Sequence, residues 1–281
     1  MAMDKGEICV EQGEKRFLAV APGEMTAGGR WGLPLAHLAY RVGGGLHLFR
    51  ANSPVAPQGG LMVIEDAGFA GEGEAEPFCG EVLRECGVRR FSGVFCRFRG
   101  RPQPALVQVC QRLSQQCRDK GLGCYVTEGD AGGCSVQAVI STALSGGSLR
   151  GRLEEAGRRC GFSRICVWVE RVAEDFPLPS STGRGTPLSR EDLEWLREEK
   201  GGSVFFSPEL CAHYFTYMAG NEGHFVLFDD AGSLRQKLRV AREVGVRTGF
   251  VPFGELGDAR DPVLERRLGG FAPLFFWALV W

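Results

Sequence analysis

Short apolar runs alternate with amphipathic segments along most of this chain. Between two such runs, Ala105, Val109, Leu113 and Cys117 recur at helical spacing, and the sequence KGL at 120–122 closes the helix that they predict. Alternation of strands and helices is what a parallel barrel requires, and eight strands are needed to close it. We predict these eight strands at Phe17–Ala21, Leu46–Arg50, Leu61–Glu65, Phe91–Arg97, Leu122–Thr127, Val136–Thr142, Arg164–Val169 and Thr248–Phe253.

One stretch, residues 188–229, departs from this alternation. It starts with a helical segment at Arg190–Glu199, and the turn sequence AGNEG at 219–223 predicts a hairpin. Short strands are expected at Val204–Phe206, His213–Met218 and Phe225–Phe228. A chain of 281 residues has the ordinary length of one barrel. We therefore predict a single TIM (β/α)8 barrel domain over residues 1–281, with a small α+β insertion at 188–229 before the last helix and strand.

The fourth predicted strand resembles a catalytic motif. Residues 91–100, FSGVFCRFRG, resemble the fourth-strand signature of family 18 glycoside hydrolases, which reads Asp-Gly-aliphatic-x-aliphatic-Asp-aromatic-Glu. In that family the Glu protonates the glycosidic oxygen and the preceding Asp orients the acetamido group of the sugar. Ser92, Arg97 and Arg99 stand at the acid positions here. A guanidinium stays protonated and accepts no hydrogen bond, so the resemblance implies a barrel without its catalytic acids.

A second resemblance covers residues 224–257. This stretch is similar to the closing strand-helix-strand unit of bacterial family 18 proteins, especially spore-cortex-lytic N-acetylglucosaminidases. Asp230 or Ser233 is expected to cap its helix, and Gly245 to end it. The family places a Trp under the sugar on the last strand, and Phe253 stands at that position. The sixth-strand stretch 138–147, AVISTALSGG, lacks the Tyr and the acid of the family's element.

Ligand-binding candidates follow from these resemblances. They are Arg97, Arg99, Phe253, Asp175, Phe176 and Glu255. Arginines at strand ends would bind a carboxylate, sulfate or phosphate through forked hydrogen bonds, or would simply be solvated. Phe176 and Asp175 lie in VAEDFPLP (172–179), similar to an aromatic-Asp-Trp-Pro loop of the spore enzymes. This Phe either contacts a sugar face or only packs in a turn.

Carboxylates remain near other predicted strand ends. A glycoside hydrolase whose catalytic acids lie at these other positions is therefore an alternative. Two carboxylates separated by roughly 5 to 9 Å would suffice for ordinary glycoside hydrolysis. The acids at these ends are Glu65, Asp66, Glu128, Asp130, Glu170 and Glu255.

The net charge and the cysteine spacing argue against two further kinds of ligand, nucleic acids and metal ions. The net charge of −1 argues against nucleic acid as the main partner, because phosphate binding needs a concentrated basic face. The 11 cysteines and four histidines lack metal-ligand spacing, so we expect no metal and no cofactor. Cys79 and Cys86, like Cys110 and Cys117, are seven residues apart and share a helix face. We expect these thiols to be buried.

Both chain ends bear on location and assembly. The first residues are mixed and charged, with Asp4, Lys5 and Glu7, and predict no signal peptide, hence synthesis in the cytoplasm. Deposition on spores is compatible with this. The apolar run Phe271–Trp281 is too short to cross a bilayer as a helix. It forms either part of the last helical layer or a hydrophobic docking tail for protein assembly.

These observations predict a noncatalytic, chitinase-like protein. Its expected partner is an N-acetylglucosamine-containing or anionic cell-wall glycan. Two alternatives stay open: a glycoside hydrolase with relocated acids, and a structural or assembly protein with no sugar ligand.

Overall fold

Eight parallel strands close into a barrel surrounded by helices. The computed structural model describes residues 14–53, 55–131, 136–179, 183, 185–200, 202–257 and 260–264. The barrel strands, in order around the barrel, are β1 (Lys15–Val20), β2 (Leu35–Gly43), β4 (Leu61–Glu65), β5 (Gly93–Arg97), β6 (Gly123–Thr127), β7 (Gln137–Ser141), β8 (Ile165–Trp168) and β14 (Thr248–Pro252). Pairing of β1 with both β2 and β14 closes the ring. The predicted TIM-barrel fold is confirmed.

The helices lie around these strands. They are α1 (Met25–Gly29), α2 (Ala75–Arg89), α3 (Pro104–Asp119), α4 (Leu149–Cys160), α6 (Ala231–Glu243), α7 (Phe253–Leu256) and α8 (Arg260–Leu264), with single 3₁₀ turns at Glu128–Asp130 and Phe162–Arg164. Asp230 and Ser233 form a reciprocal capping box at the start of α6, so both predicted capping residues take part. Gly245 follows the end of this helix at φ 97°.

The second predicted strand, Leu46–Arg50, is wrong as a barrel strand. The second barrel strand is β2, and His47–Arg50 forms β3, which pairs antiparallel with β2 outside the barrel. A turn at residues 44–46 joins the two, too short for the crossover that a parallel neighbour needs. The burial agrees, since β2 is mostly buried whereas β3 is mostly exposed. The other seven predicted strands agree with the observed ones to within two residues at either end.

Aromatic side chains fill the barrel interior. Phe250 stacks on Phe17 at 5.3 Å between ring centroids and contacts Phe95 at 4.9 Å and Tyr125 at 5.4 Å. Smaller inward residues such as Ala19 complete this core. The interior is therefore packed, and ligand chemistry is confined to the carboxyl ends of the strands.

The insertion is a five-stranded antiparallel sheet with one helix. The sheet and helix consist of β9 (Ala173–Leu178), β10 (Thr186–Pro187), α5 (Arg190–Glu199), β11 (Phe205–Ser207), β12 (Ala212–Ala219) and β13 (Glu222–Phe228), with strand order β10-β9-β13-β12-β11. Both β9 and β10 precede residue 188, where we expected the insertion to start. Helix α5 covers one face through Leu193 and Leu196. Phe176 and Leu227 on the opposite face pack against Ala143, in the loop after β7, so this face is turned toward the barrel.

A buried ion pair joins the insertion to the barrel. Lys237 on α6 and Asp229 at the end of β13 are each 1% exposed and bind each other directly. Asp229 Oδ2 also accepts from the backbone N–H of Val172 at 2.8 Å, and its Oδ1 accepts from the Ser233 hydroxyl at 2.8 Å. Lys237 Nζ donates to the carbonyl oxygen of Glu170 at 3.3 Å. Thus one pair holds both chain segments that connect the sheet to the barrel.

Candidate functional site: the carboxyl-end mouth of the barrel

Arg97 lies across the centre of the mouth. It is the last residue of β5 and points inward like Phe95, two positions earlier, because strand side chains alternate. Its guanidinium donates to Glu65 Oε1 at 2.5 Å, and its Cζ lies 4.0 Å from the ring centroid of Trp168. The residue is only 6% exposed. Arg97 therefore uses its charge on a neighbouring carboxylate and an aromatic face, a cation–π arrangement.

Arg99 is exposed, and the loop that carries it is held by Asp66. The carboxylate of Asp66 accepts from the backbone N–H of Arg99 at 3.2 Å and of Gly100 at 3.1 Å. Burial raises the pKa of two mouth acids, Glu65 and Glu255, and the nearby positive charge of Arg99 partly opposes this rise at both. Ser92 lies at the opposite end of β5, where its hydroxyl donates to the carbonyl of Gly60 at 2.8 Å, so it is outside the mouth.

Several predicted acids do meet at the mouth. Burial raises the pKa of Glu65, and burial together with the nearby charge of Glu170 raises the pKa of Glu255. Glu170 accepts from the Ser141 hydroxyl at 2.6 Å, and its backbone N–H donates to Thr142 at 3.2 Å. The mouth thus contains carboxyl groups that hold a proton more readily than carboxyl groups in water do.

Glu128 and Asp130 follow the same strand but have different surroundings. Glu128 forms ion pairs with Arg152 at 2.9 Å and with Arg159, both on α4, and so faces the outer helix layer. Asp130 is buried, and burial, with a smaller effect from Asp66, raises its pKa to about 6.

This titration predicts a pH-dependent effect of Asp130→Asn on stability. Folding raises the pKa of Asp130 from 3.8 to about 6, so between these pH values the native state binds more protons than the unfolded chain. The contribution of Asp130 to stability should therefore fall as pH rises through this window. Asp130→Asn removes this pH-dependent loss. We therefore expect the change in the free energy of unfolding that the substitution causes to be about 2–3 kcal/mol more favourable at pH 7 than at pH 3.5.

Urea unfolding at both pH values measures this difference. Asp119→Asn, which makes the same chemical change at an exposed position at the end of α3, is the matched control. An Asp130→Asn effect that is the same at both pH values would contradict the assigned pKa.

The two phenylalanines expected to stack on a sugar are buried. Phe253 is 3% exposed and packs in the helix layer, with Arg260 4.2 Å above its ring. Phe176 is 5% exposed and packs against Phe225. Sugar stacking requires an exposed ring face, so neither residue offers one in this structure. Asp175 is also engaged within the insertion, where it accepts from the Tyr217 hydroxyl at 2.7 Å and lies 3.0 Å from His224 Nδ1.

Sequence reasoning missed Trp168 and a row of aromatic rings on the insertion. Trp168 is the last residue of β8, and its position near the end of a predicted strand was the available signal. Its indole Nε1 is buried, with no hydrogen-bond partner among the described residues. On the barrel-facing side of the sheet, Phe205 stacks on Tyr214 at 5.6 Å, and Tyr214 stacks on Phe225 at 5.3 Å. Phe205 is 54% exposed, so this row presents an open aromatic edge.

The described residues contain neither a metal-binding cluster nor a membrane-spanning helix. Among the described residues, no cluster of His, Cys, Asp and Glu could hold a metal ion. Within the same ranges, every helix is too short or too polar to cross a membrane. The apolar run Phe271–Trp281 lies outside the described residues.

Comparison with known proteins identifies the architecture. The sequence matches no protein-family model and no curated protein. Among solved structures, the Bacillus cereus spore cortex-lytic enzyme SleL superposes with a TM-score of 0.61 at 14% identity, over 89% of this chain and 74% of that one. A Chromobacterium violaceum chitinase gives 0.61 at 15% identity over 90% and 100%. A family 18 chitinase from Cycas revoluta gives 0.56 at 11% identity over 89% and 97%.

The fold is that of the family 18 glycoside hydrolases. The resemblance predicted from residues 91–100 and 224–257 is thereby confirmed for the fold. Sequence identities this low support a shared fold but not a shared activity. The chemistry of this family 18-type barrel must therefore be inferred from its own residues.

Proposed function

We propose that this chain is a noncatalytic, chitinase-like protein that binds an N-acetylglucosamine-containing glycan at the barrel mouth. The observation that supports this proposal is the arginine at motif position 97 and the contacts that its guanidinium makes. The family motif needs an acid at this position, and here a guanidinium paired with Glu65 covers Trp168. A permanently protonated group at the motif position cannot take over the acid's part in the family mechanism.

The charge of the mouth favours a neutral glycan over an anionic wall polymer. Arg97 is already paired with Glu65, which leaves Arg99 as the exposed motif guanidinium. Carboxyl groups outnumber these two arginines, since Glu65, Asp66, Asp130, Glu170 and Glu255 all follow barrel strands here. An anionic ligand would be repelled by those of these carboxyl groups that are ionised, whereas an uncharged N-acetylated sugar would form hydrogen bonds with ionised and protonated carboxyl groups alike.

Stacking would come from the insertion. The row Phe205, Tyr214 and Phe225 lies on the face turned toward the barrel, and the sugar would contact its exposed Phe205 end. Pyranose rings carry an apolar face, so an exposed aromatic ring is a suitable partner. Because the solved structures with this fold include spore cortex-lytic enzymes, we place the proposed glycan in a bacterial spore or cell wall.

Calorimetry against chitooligosaccharides and muropeptides tests this function. We expect chitooligosaccharides to bind, and Phe205→Ala to weaken binding about fivefold, which corresponds to ~1 kcal/mol of lost stacking. Phe162→Ala is the matched control, because Phe162 is also exposed but lies in the 3₁₀ turn before β8, at the amino end of the barrel strands. Binding of a neutral glycan should change little with salt, whereas binding of an anionic fragment through Arg99 should weaken with salt and with Arg99→Ala.

If neither ligand class binds, the proposal that the barrel mouth binds a glycan is refuted. Binding that neither Phe205→Ala nor Arg99→Ala alters would refute it too. Assembly through the outer surface or the Phe271–Trp281 segment would then be the better hypothesis.

A second candidate function, hydrolysis with relocated acids, has one observation in its favour. Glu255 combines a raised pKa with the nearby charge of Glu170, and Glu170 is held by Ser141. Two neighbouring carboxyl groups, one of them with a raised pKa, are an arrangement that glycosidases use.

A further inference from the structure

Glu170 and Glu255 lie on adjacent segments at one side of the barrel mouth. Glu170 comes two residues after β8, and Glu255 is in α7, directly after β14. Strands β8 and β14 pair in parallel, so their carboxyl ends meet at the mouth. The two segments also touch beyond the strands, since Arg171 Nη1 donates to the carbonyl oxygen of Leu256 at 3.5 Å. A ligand can reach both acids, because Glu170 is partly exposed and Glu255 is exposed.

The carboxylate of Glu170 is held in position. Its Oε2 accepts from the Ser141 hydroxyl at 2.6 Å. The backbone of Glu170 is fixed as well, since its N–H donates to the Thr142 hydroxyl at 3.2 Å and its carbonyl oxygen accepts from Lys237 Nζ at 3.3 Å. A carboxylate that is fixed before binding loses little conformational entropy when a ligand arrives.

Neither of these two carboxyl groups is paired with a cation. Among the described residues, no ion pair involves the side chain of Glu170 or Glu255. Lys237, which contacts the backbone of Glu170, is paired with Asp229. The closeness of the two acids has an electrostatic consequence, since burial and the charge of Glu170 both raise the pKa of Glu255, with Arg99 opposing. A cation placed between the two groups would relieve this repulsion.

The same mouth already holds one cation, on its other side. The guanidinium of Arg97 lies between the Glu65 carboxylate, at 2.5 Å, and the ring of Trp168, at 4.0 Å. Trp168 and Glu170 are two positions apart, and Val169 between them packs outward, so both turn toward the mouth. The indole Nε1 of Trp168 is buried and has no acceptor among the described residues, although a buried N–H without an acceptor costs free energy. This N–H indicates a ligand that carries an oxygen acceptor beside a cation.

We propose that this side of the mouth binds the ammonium group of a de-N-acetylated glucosamine residue between the carboxylates of Glu170 and Glu255. The inference rests on the proposed glycan-binding function and names a sugar that the site selects. Glucosamine carries an amine where N-acetylglucosamine carries an uncharged amide. The ammonium has three N–H donors, enough for both carboxylates, and a neighbouring sugar hydroxyl accepts from Trp168 Nε1. N-acetylated residues of the same glycan would lie along the row of Phe205, Tyr214 and Phe225.

Calorimetry of the intact chain at about pH 6, where an amine of this kind is protonated, tests the preference. The ligands are chitotetraose and partly de-N-acetylated oligomers of the same length. We expect the oligomers with free amines to bind at least about tenfold more tightly, because hydrogen bonds to charged groups are stronger than those between neutral groups. Added salt should weaken their binding and change that of chitotetraose little. Chemical re-acetylation of the amines should abolish the gain.

Substitutions locate the ammonium within the mouth. Glu170→Gln and Glu255→Gln should each remove most of the preference for free amines, while chitotetraose still binds. Glu128→Gln is the matched control, because Glu128 also follows a barrel strand but forms ion pairs with arginines of α4 in the outer helix layer. Trp168→Phe keeps an aromatic ring and removes the N–H, and should weaken binding of the free-amine oligomers about fivefold.

The outcomes separate this inference from the glycan-binding function. Binding of chitotetraose with no gain from free amines would overturn the ammonium site and leave the glycan-binding function standing. A gain that survives in both Glu170→Gln and Glu255→Gln, or that Glu128→Gln also removes, would overturn the site in the same way. If neither chitotetraose nor the free-amine oligomers bind, the glycan-binding function is refuted together with this inference.

Discussion

Replacing Lys237 with Met should lower the free energy of unfolding by about 3–5 kcal/mol. Lys237 and Asp229 are each 1% exposed, so the substitution leaves a carboxylate buried without its counter-charge. Hydrogen bonds from Val172 and Ser233 remain on Asp229, but they do not neutralise it. Removing one partner of a buried ion pair is costly because water cannot reach the remaining charge.

The exposed pair Arg190–Glu194 on α5 provides the matched control. Both side chains are about half exposed, and the ion pair spans one helical turn at 3.0 Å. Arg190→Met removes a cation by the same kind of change and should cost less than about 1 kcal/mol, because water solvates the remaining carboxylate. Urea unfolding of both variants measures the difference. Similar losses in the two variants would mean that the junction pair contributes no more than a surface pair.

The double variant Arg97→Asp, Arg99→Glu should not hydrolyse chitooligosaccharides or cortex peptidoglycan. Glycosidase activity would require a rate acceleration of at least about 10⁶-fold, and a catalytic unit fails when any essential member is missing. The sixth-strand stretch 138–147 would still lack the Tyr and the acid of the family element. An Asp at position 97 would also face Glu65 without the guanidinium that now pairs with it.

Product release measured against a buffer blank checks both the wild-type chain and this variant. Glu255→Gln and Glu170→Gln are the informative controls. Wild-type turnover that either control abolishes would establish hydrolysis through relocated acids and refute the noncatalytic proposal. Strong turnover by the double variant alone would show that only the two motif acids were missing.

Local sequence signals were sufficient for much of the fold. Strands such as Leu61–Glu65 are continuous apolar runs buried on both faces, which is the pattern of a parallel barrel strand. The limits of α5, Arg190–Glu199, agree with the prediction, because Ser189 and Asp192 form a capping box there. The second strand was misplaced because His37 and Arg41 interrupt the apolar pattern of Leu35–Gly43.

The site depended more on contacts that are distant in sequence. The replaced acids at Arg97 and Arg99 are visible in the sequence, and so are carboxylates at strand ends. The sequence could not show that Arg97 covers Trp168, 71 positions later, or that it pairs with Glu65, 32 positions earlier. Nor could it show that Phe253 is buried, since α7 begins at this residue and its ring packs among the helices.

The sequence by itself thus determined the barrel, the helix α5 and the residue types at the motif positions, because hydrophobic periodicity and caps act over a few neighbouring residues. The tertiary structure alone decided which charges neutralise one another and which rings remain exposed. Those properties depend on side chains brought together from different strands and helices, and closure of the barrel fixes their distances and their access to water.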